Sequence, residues 1–318
     1  MTGQIDLSVV VVTWNSRHDI HRCLASVTDS SRSVREIIVV DNGSTDGTVE
    51  HVRRFFPSAV VIRNGANLGH ARAANIGFER ARGRYVVILD ADTEFRRELL
   101  PAMVDFLERE PSAHICAPRL YYPDGRLQET NRNLPTPAAA VFGRRSLVAR
   151  LWPGNPLTAR YLRRDLRGET RPHPVQQVSA AVMMFRRDMI ERIGGWDEGF
   201  FAYWLDTEWC IRAGKAGLGV WSLPHLSATH HESNRPAVRK TWRRLWMFHR
   251  GAMRLYRLHY AGGPLDPRCW VAGALLMVRF ALLAAIDPFL PPAPANGRGE
   301  ASATARQDRT AAGAKPPG

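Results

Sequence analysis

Four short runs of aliphatic, mostly β-branched residues, separated by segments with helical periodicity, constrain this chain more than any other feature. The runs are LSVVVVT (7–13), EIIVVD (36–41), AVVIR (59–63) and RYVVILD (84–90). Nearly continuous apolar character at this length predicts strands buried on both faces, as in a parallel sheet. Between the runs the period changes. Ile20, Cys23, Leu24 and Val27 fall at i, i+3, i+4 and i+7, Val49, Val52 and Phe56 repeat the helical spacing, and GHARAANIGFERARG supplies a third helix that stops near Gly83. Strand and helix alternating in this way imply right-handed crossovers and an α/β fold with a doubly wound, mostly parallel sheet flanked by helices. The 318 residues suffice for one large domain or two modest ones.

In an open sheet of this kind, ligands bind beyond the carboxyl ends of the strands. Polar residues gather at those ends: Thr13, Trp14 and Asn15; Asp41, Asn42, Gly43 and Ser44; Asn64 and Asn67; Asp90 and Asp92. DNGSTDG (41–47) is also rich in turn formers, and Ser44 or Asp46 would equally serve as a helix cap. Gly43, Gly47 and Gly69 do not make a G-x-G-x-x-G fingerprint, and the chain contains no G-x-x-x-x-G-K-[ST], which disfavours ordinary dinucleotide and P-loop binding. Asp90 and Asp92 flank one small residue, Ala91. Carboxylates that close repel and raise each other's pKa unless a positive charge intervenes. Mg²⁺ or Mn²⁺ removes that penalty and bridges carboxylates to a substrate diphosphate. A bare D-x-D also arises from solvated loop acids; its place at the end of the last predicted parallel strand gives it weight.

VVVVTWNS, IIVVDNGSTDGT, NLGHARAANIG and VVILDADT, in this order and spacing, resemble the GT-A fold of family 2 glycosyltransferases, particularly the rhamnosyltransferase-like branch. The resemblance continues through VSAAVMMFRRDMIERIGGWDEGFF (178–201) to about residue 260. It implies that Thr13 and Asp41 hold the nucleoside base and that Asn15 shapes the pocket. It further implies that Asn67, Gly69 and Asn75 line the nucleotide side, that Asp90 approaches the ribose or the metal, and that Asp92 ligates the metal under the diphosphate.

Asp206 and Glu208 are read as preceding a helix, with Asp206 as its N-cap and Glu208 favoured by the helix dipole. By the resemblance, Asp206 matches the general base that deprotonates the acceptor hydroxyl in an inverting transfer, with Glu208 as the alternative. Two departures stand out: Leu205 replaces the family's usual acidic residue, and Ala180 stands where relatives often carry Gly. Aligned on the family from Pro224, His230 is expected to complete the metal or diphosphate site, with His231 as fallback, and Arg235, just beyond, is a candidate phosphate contact. Paired histidines and a lone arginine are otherwise ordinary surface residues.

Charge belongs mainly to the second half. Lys and Arg number 44 against 30 acidic residues, for a formal net charge of +14, and arginines thicken after residue 140 and between 235 and 260. A helix is expected from Ala237 to Tyr260. Trp242, Leu245, Trp246, His249, Met253 and Tyr256 would fall on one face, flanked by Arg239, Arg243, Arg250, Arg254 and Arg257. This pattern suits either core packing with a solvated basic flank or a membrane-surface helix. The run CWVAGALLMVRFALLAAI (269–286), interrupted by Arg279, is expected to lie in or dip into the cytoplasmic leaflet. The Pro, Ala and Gly-rich tail is expected to be disordered.

The expected organisation is a GT-A catalytic domain at 1–235, with a nucleotide-binding half (1–118) and an acceptor-side half (119–235). C-terminal amphipathic and apolar, membrane-associated helices (236–290) and a disordered tail (291–318) follow. Four dispersed cysteines, read as reduced, and an N-terminus without a basic leader suggest a cytoplasmic protein, peripheral or monotopic at the inner face of the cell membrane. Its expected partners are a nucleotide-diphosphate sugar, first dTDP-L-rhamnose, a glycan or lipid-linked acceptor and an anionic membrane surface, rather than nucleic acid. The rival readings are a catalytically silent nucleotide-sugar sensor and a basic nucleic-acid-binding protein.

Overall fold

The computed structural model describes residues 3–30, 32–136, 152, 155–232, 242–263 and 265–286. In chain order the N-terminal elements are β1 (Ile5–Thr13), α1 (Ile20–Thr28), β2 (Val34–Asp41), α2 (Thr48–Phe55), β3 (Val60–Arg63), α3 (His70–Arg80) and β4 (Tyr85–Asp90). Next come β5 (Thr93–Phe95), α4 (Leu99–Arg109), β6 (Ala113–Tyr121), β7 (Leu127–Gln128), α5 (Pro156–Tyr161) and β8 (His173–Pro174). The chain continues with β9 (Val182–Arg186), α6 (Asp188–Ile193), α7 (Leu205–Lys215), β10 (Gly219–His230), α8 (Trp242–His259) and α9 (Pro267–Ile286).

All ten strands join one sheet, whose path runs β3-β2-β1-β4-β9-β6-β10-β5. The first four are parallel, β9 runs antiparallel between β4 and β6, and β10 returns parallel to β6. The expected boundary at 118/119 therefore falls inside β6, and the nucleotide and acceptor halves share the sheet. Because successive strand residues face opposite sides, Val9 and Val11 enter a core with α1, α2 and α4, while Val10 and Val12 pack with α3 and α7. This explains the unbroken apolar run in β1: both faces are covered. β3 differs from that expectation. It is the sheet edge, and Val60 is 39% exposed.

The two C-terminal helices form a hairpin. Trp246 and His249 of α8 meet the Phe280 ring of α9, and Leu255 seats α8 in the second core. The expected start of α8 at Ala237 lies outside the described residues, as do Arg235, Arg239 and the 291–318 tail. Arg279 turns inward, with Nη1 3.4 Å from His249 Nε2 and its guanidinium over the Phe248 ring. The apolar face of α9 is thus left free of charge.

Candidate active site

Strand register gathers the predicted residues. Thr13 pairs with Asp41, Asp41 with Arg63, and Val12 with Asp90, so the carboxyl ends of four adjacent strands make one rim. Thr13 is buried, and its hydroxyl oxygen has no hydrogen-bond partner among the described residues. A buried polar atom left in that state is costly unless a ligand satisfies it. Asp41, fully buried, accepts the Ser44 N–H on both oxygens at 3.2 and 3.3 Å, which folds the DNGSTDG turn back over the strand end. Asn15 adopts φ 49°, donates its N–H to the Ser44 hydroxyl at 2.8 Å and accepts the Thr45 N–H at 2.8 Å. Ser44 therefore stitches two loops together instead of capping α2. Asp46 takes the cap-like role, accepting the Thr48 N–H at 3.0 Å.

The neighbouring loop is ordered by Asn42, a rim residue to which the sequence assigns no separate role. Asn42, buried, donates to Asn67 Oδ1 at 3.0 Å and to the Gly69 carbonyl at 3.1 Å, and accepts from Asn64 and Leu68. Its position inside a turn motif disguised this work. Asn67 also accepts the Gly69 N–H, and Gly69, at φ 90°, approaches Phe201 so closely that a Cβ would lie 2.9 Å from its ring. Asn75, expected beside the nucleotide, is engaged with the 196–198 loop. Its amide donates to the Trp196 carbonyl and Glu198 and accepts the Trp196 N–H. Trp14, 47% exposed next to Thr13, presents an aromatic surface at the rim.

Asp90, Asp92 and His230 converge at the end of β4, with one ligand atom from each lying within 4.8 Å of the others. His230 Nε2 is 3.2 Å from Asp92 Oδ1 and 3.7 Å from Asp90 Oδ2. Antiparallel pairing of β10 with β5 brings His230 opposite Thr93. Gln128 fixes the ring: its Nε2 donates to the His230 carbonyl at 2.9 Å, and its Oε1 accepts from Nδ1–H at 3.0 Å. The arrangement leaves Nε2 directed at the carboxylates. Burial by itself lowers the imidazole pKa, but the hydrogen bond to Asp92 and the charges of Asp90 and Asp92 outweigh it and raise His230 to about 9. A proton on His230 thus balances the acidic pair when no ion does. Two carboxylates and one imidazole fit Mg²⁺ or Mn²⁺, ions that favour oxygen with occasional nitrogen. His231 does not join them. Its N–H holds the Asp92 carbonyl at 2.9 Å while its ring faces Glu94 at 3.1 Å.

A second loop, 196–204, leads into α7, which carries Asp206. The N–H of His70 donates to the Phe201 carbonyl at 2.6 Å, and His70 Nε2 lies 3.9 Å from Asp90 Oδ1. The N-cap of α7 is Trp204, not Asp206, which instead sits in the first turn, partly exposed, with Oδ1 accepting the Thr207 N–H at 2.8 Å. Glu208 is buried and engaged by Arg212, which donates to both carboxylate oxygens, and by His259 at 3.2 Å. That pairing ties Glu208 to α8 and to the end of its own helix turn. Leu205 points into the second core, 4% exposed, so the departure at this position trades a carboxylate for packing. Ala180 is buried in the same core.

Comparison with known proteins agrees with this geometry. Residues 8–194 match the family described as glycosyl transferase family 2. The chain is 28% identical over 239 residues to the N-acetylglucosaminyl-diphospho-decaprenol L-rhamnosyltransferase of Mycobacterium tuberculosis, covering 72% of this chain and 76% of that one. Among solved structures, the mannosyltransferase PcManGT from Pyrobaculum calidifontis, in complex with GDP-Man and Mn²⁺, superposes with a TM-score of 0.53 at 22% identity, covering 98% of this chain and 81% of that one. TarS 1-349 of S. aureus in complex with UDP-GlcNAc gives 0.51 at 18% identity, covering 89% and 74%. Both likenesses confirm the GT-A architecture.

Proposed function

This chain belongs to glycosyl transferase family 2, and from that premise we propose that it transfers a sugar, with inversion, from a nucleotide-diphosphate donor to a hydroxyl of a cell-envelope glycan or lipid-linked saccharide. The observation that carries the reading is the Asp90, Asp92 and His230 cluster beside a rim where Thr13 and Asp41 are both buried and the Thr13 hydroxyl is unpartnered. The relative's name points to an L-rhamnose donor, of which dTDP-L-rhamnose is the first to test, and to a diphospho-polyprenol saccharide as the first acceptor.

Thr13 and Asp41 read the base, Trp14 offers it a stacking face, and Asn15 with the 43–47 turn closes the pocket. Asp90, Asp92 and His230 would hold Mg²⁺ or Mn²⁺. When bound, the ion compensates the charge that develops on the departing diphosphate. Asp206 accepts the proton of the acceptor hydroxyl as that oxygen attacks the anomeric carbon and the bond to the diphosphate breaks. The nucleotide diphosphate leaves, and Asp206 returns its proton to solvent.

A thermal-shift screen of nucleoside diphosphates and their sugars, each with Mn²⁺, Mg²⁺ or chelator, tests donor class and metal need without knowledge of the acceptor. Stabilisation by a nucleotide sugar that vanishes in chelator is expected. Equal stabilisation in chelator would overturn the role given to the acidic cluster. Binding without turnover in the presence of any acceptor would favour the sugar-nucleotide sensor.

A further inference from the structure

The C-terminal hairpin touches the catalytic loop at several points. Arg254 of α8 forms a two-pronged pair with Asp197, at 2.9 and 2.7 Å, and lies over the Phe200 ring. Its guanidinium occupies the space beside Gly199, where an added Cβ would be 2.1 Å from Arg254 Cζ. Trp204, the residue before α7, holds a left-handed φ of 72°, which costs energy for a bulky side chain. It is kept there by α8: its indole N–H donates to the Phe248 carbonyl at 3.0 Å, and Gly251 makes room for the ring. Phe248 also stacks beneath Arg279 of α9. A continuous set of contacts therefore runs from α9 through Phe248 and Trp204 to the turn that carries Asp206.

The outer face of the hairpin has a definite chemistry. Val271, Leu275, Val278 and Leu282 recur at i, i+4, i+7 and i+11 on α9 and are each about half exposed or more, with Trp270 78% exposed beside them. On α8, the exposed Arg243, Arg250 and Arg257 fall on one face with the loop-bound Arg254, at spacings of seven, four and three. From Trp242 to Ile286 the chain has one acidic residue, Asp266, and it is paired with Arg268 at 2.6 Å. An apolar stripe bordered by arginines complements an anionic bilayer, whose headgroups meet the guanidinium groups while its acyl region receives the stripe.

We propose that the α8–α9 hairpin seats on an anionic bilayer and that seating fixes the 196–206 loop through Arg254 and Trp204, so that membrane contact prepares the acceptor site. Asp206's role rests on the glycosyltransferase reading; the mechanical link does not. Arg254 is a positioning residue. Gly199→Ala is the cleaner way to break the link, because it expels the guanidinium from its seat while leaving the charge of the hairpin unchanged.

Hydrogen–deuterium exchange on the full chain tests this, comparing vesicles of phosphatidylglycerol and phosphatidylcholine with vesicles of phosphatidylcholine alone. Anionic vesicles should slow exchange several-fold both in 267–286 and in 196–206. In Gly199→Ala and Arg254→Ala the protection of 267–286 should persist while that of 196–206 disappears, and Arg254→Lys should restore part of it. No lipid-dependent protection of 267–286, or equal protection from self-association without lipid, overturns the bilayer as occupant. A protected hairpin with an unaltered 196–206 loop in the wild type overturns the coupling, and loop protection that survives in Gly199→Ala overturns the route through Arg254. Nucleotide-sugar binding measured on the same samples separates these failures from a failure of the catalytic reading.

Discussion

Replacing Gln128 by Leu isolates one physical link in the site. Gln128 is 4% exposed and touches no substrate in the proposed mechanism, yet it holds His230 through two hydrogen bonds, at 2.9 and 3.0 Å. Without its Oε1 the imidazole loses the partner that fixes its tautomer and aims Nε2 at the carboxylates. Loss of such a supporting group weakens metal affinity about 10- to 100-fold, which is about 1.4 to 2.7 kcal/mol. The same change leaves the His230 carbonyl and Nδ1–H buried without partners, at about 1 to 3 kcal/mol each in stability, so the variant should also melt earlier. Gln128→Glu separates the two effects: it keeps the acceptor for Nδ1–H and so should preserve Mn²⁺ affinity while losing the bond to the carbonyl. Mn²⁺ binding, followed through the magnetic resonance signal of the free ion in the presence of a nucleoside diphosphate, reads the first effect, and thermal unfolding the second. If Gln128→Leu and His230→Ala both bind Mn²⁺ as tightly as wild type, His230 is no ligand and the reasoning fails.

Other parts of the site predict separate outcomes. Thr13→Val should leave the melting temperature nearly unchanged, since its hydroxyl has no partner to lose, while nucleotide affinity drops by about one hydrogen bond, roughly 0.5 to 1.5 kcal/mol; unchanged titration curves would move the base elsewhere. Asp206→Asn should lower the transfer rate by about 10²- to 10⁴-fold with little change in donor KM, and a variant with the wild-type rate would remove Asp206 as base. Acidification should loosen α8. Burial, joined by Lys215, depresses His259 below its ordinary value of 6.5, and burial does the same to His249. Each binds its proton more readily when unfolded, so their contribution to stability is complete above pH 6.5 and is lost as the pH falls below it. Melting temperatures from pH 8 to 5 check this, and His259→Gln should flatten the slope; an identical slope in the variant would reject the assignment.

The rim was legible in the sequence because it depends on local rules. β-branched runs made the strands, and each strand's last residue had to fall at the carboxyl edge, which is how Thr13, Asp41 and Asp90 came together. What the sequence concealed depends on distant pairing. Gln128 lies in a two-residue strand with no periodicity, and only its register against β6 brings it beneath His230, 102 positions away. Asn75, given to the nucleotide side by the resemblance, also bonds Trp196 and Glu198, 121 and 123 positions away, which no local rule announces. Glu208 looked like a free carboxylate, since neither the i+4 Arg212 nor the distant His259 announces a buried pair. β3 looked like an interior strand because exposure at a sheet edge leaves the residue types of a short run unchanged.

The formal excess of positive charge also changes meaning once the contacts are known. Many arginines are fastened to the fold through backbone carbonyls: Arg186 to Ala113 and Leu107, Arg119 to Leu166 and Glu169, and Arg212 to Ile193 and Gly195. A guanidinium has five donors in a planar fork, so it can close helix ends and loop carbonyls that no neutral side chain reaches as well. Those residues raise the net charge without offering it to a partner. On the C-terminal hairpin the exposed charge is narrower, a stripe on α8 that includes Arg243, Arg250 and Arg257, while α9 exposes an apolar stripe. A substrate with an anionic diphosphate between a lipid tail and a sugar would need both signs in that order: arginines and apolar surface for the anchored end, then carboxylates and a cation for the donor. The 196–206 segment is what α8 holds: Arg254 grips Asp197 near one end of it, and Asp206 sits in the first turn of α7 at the other.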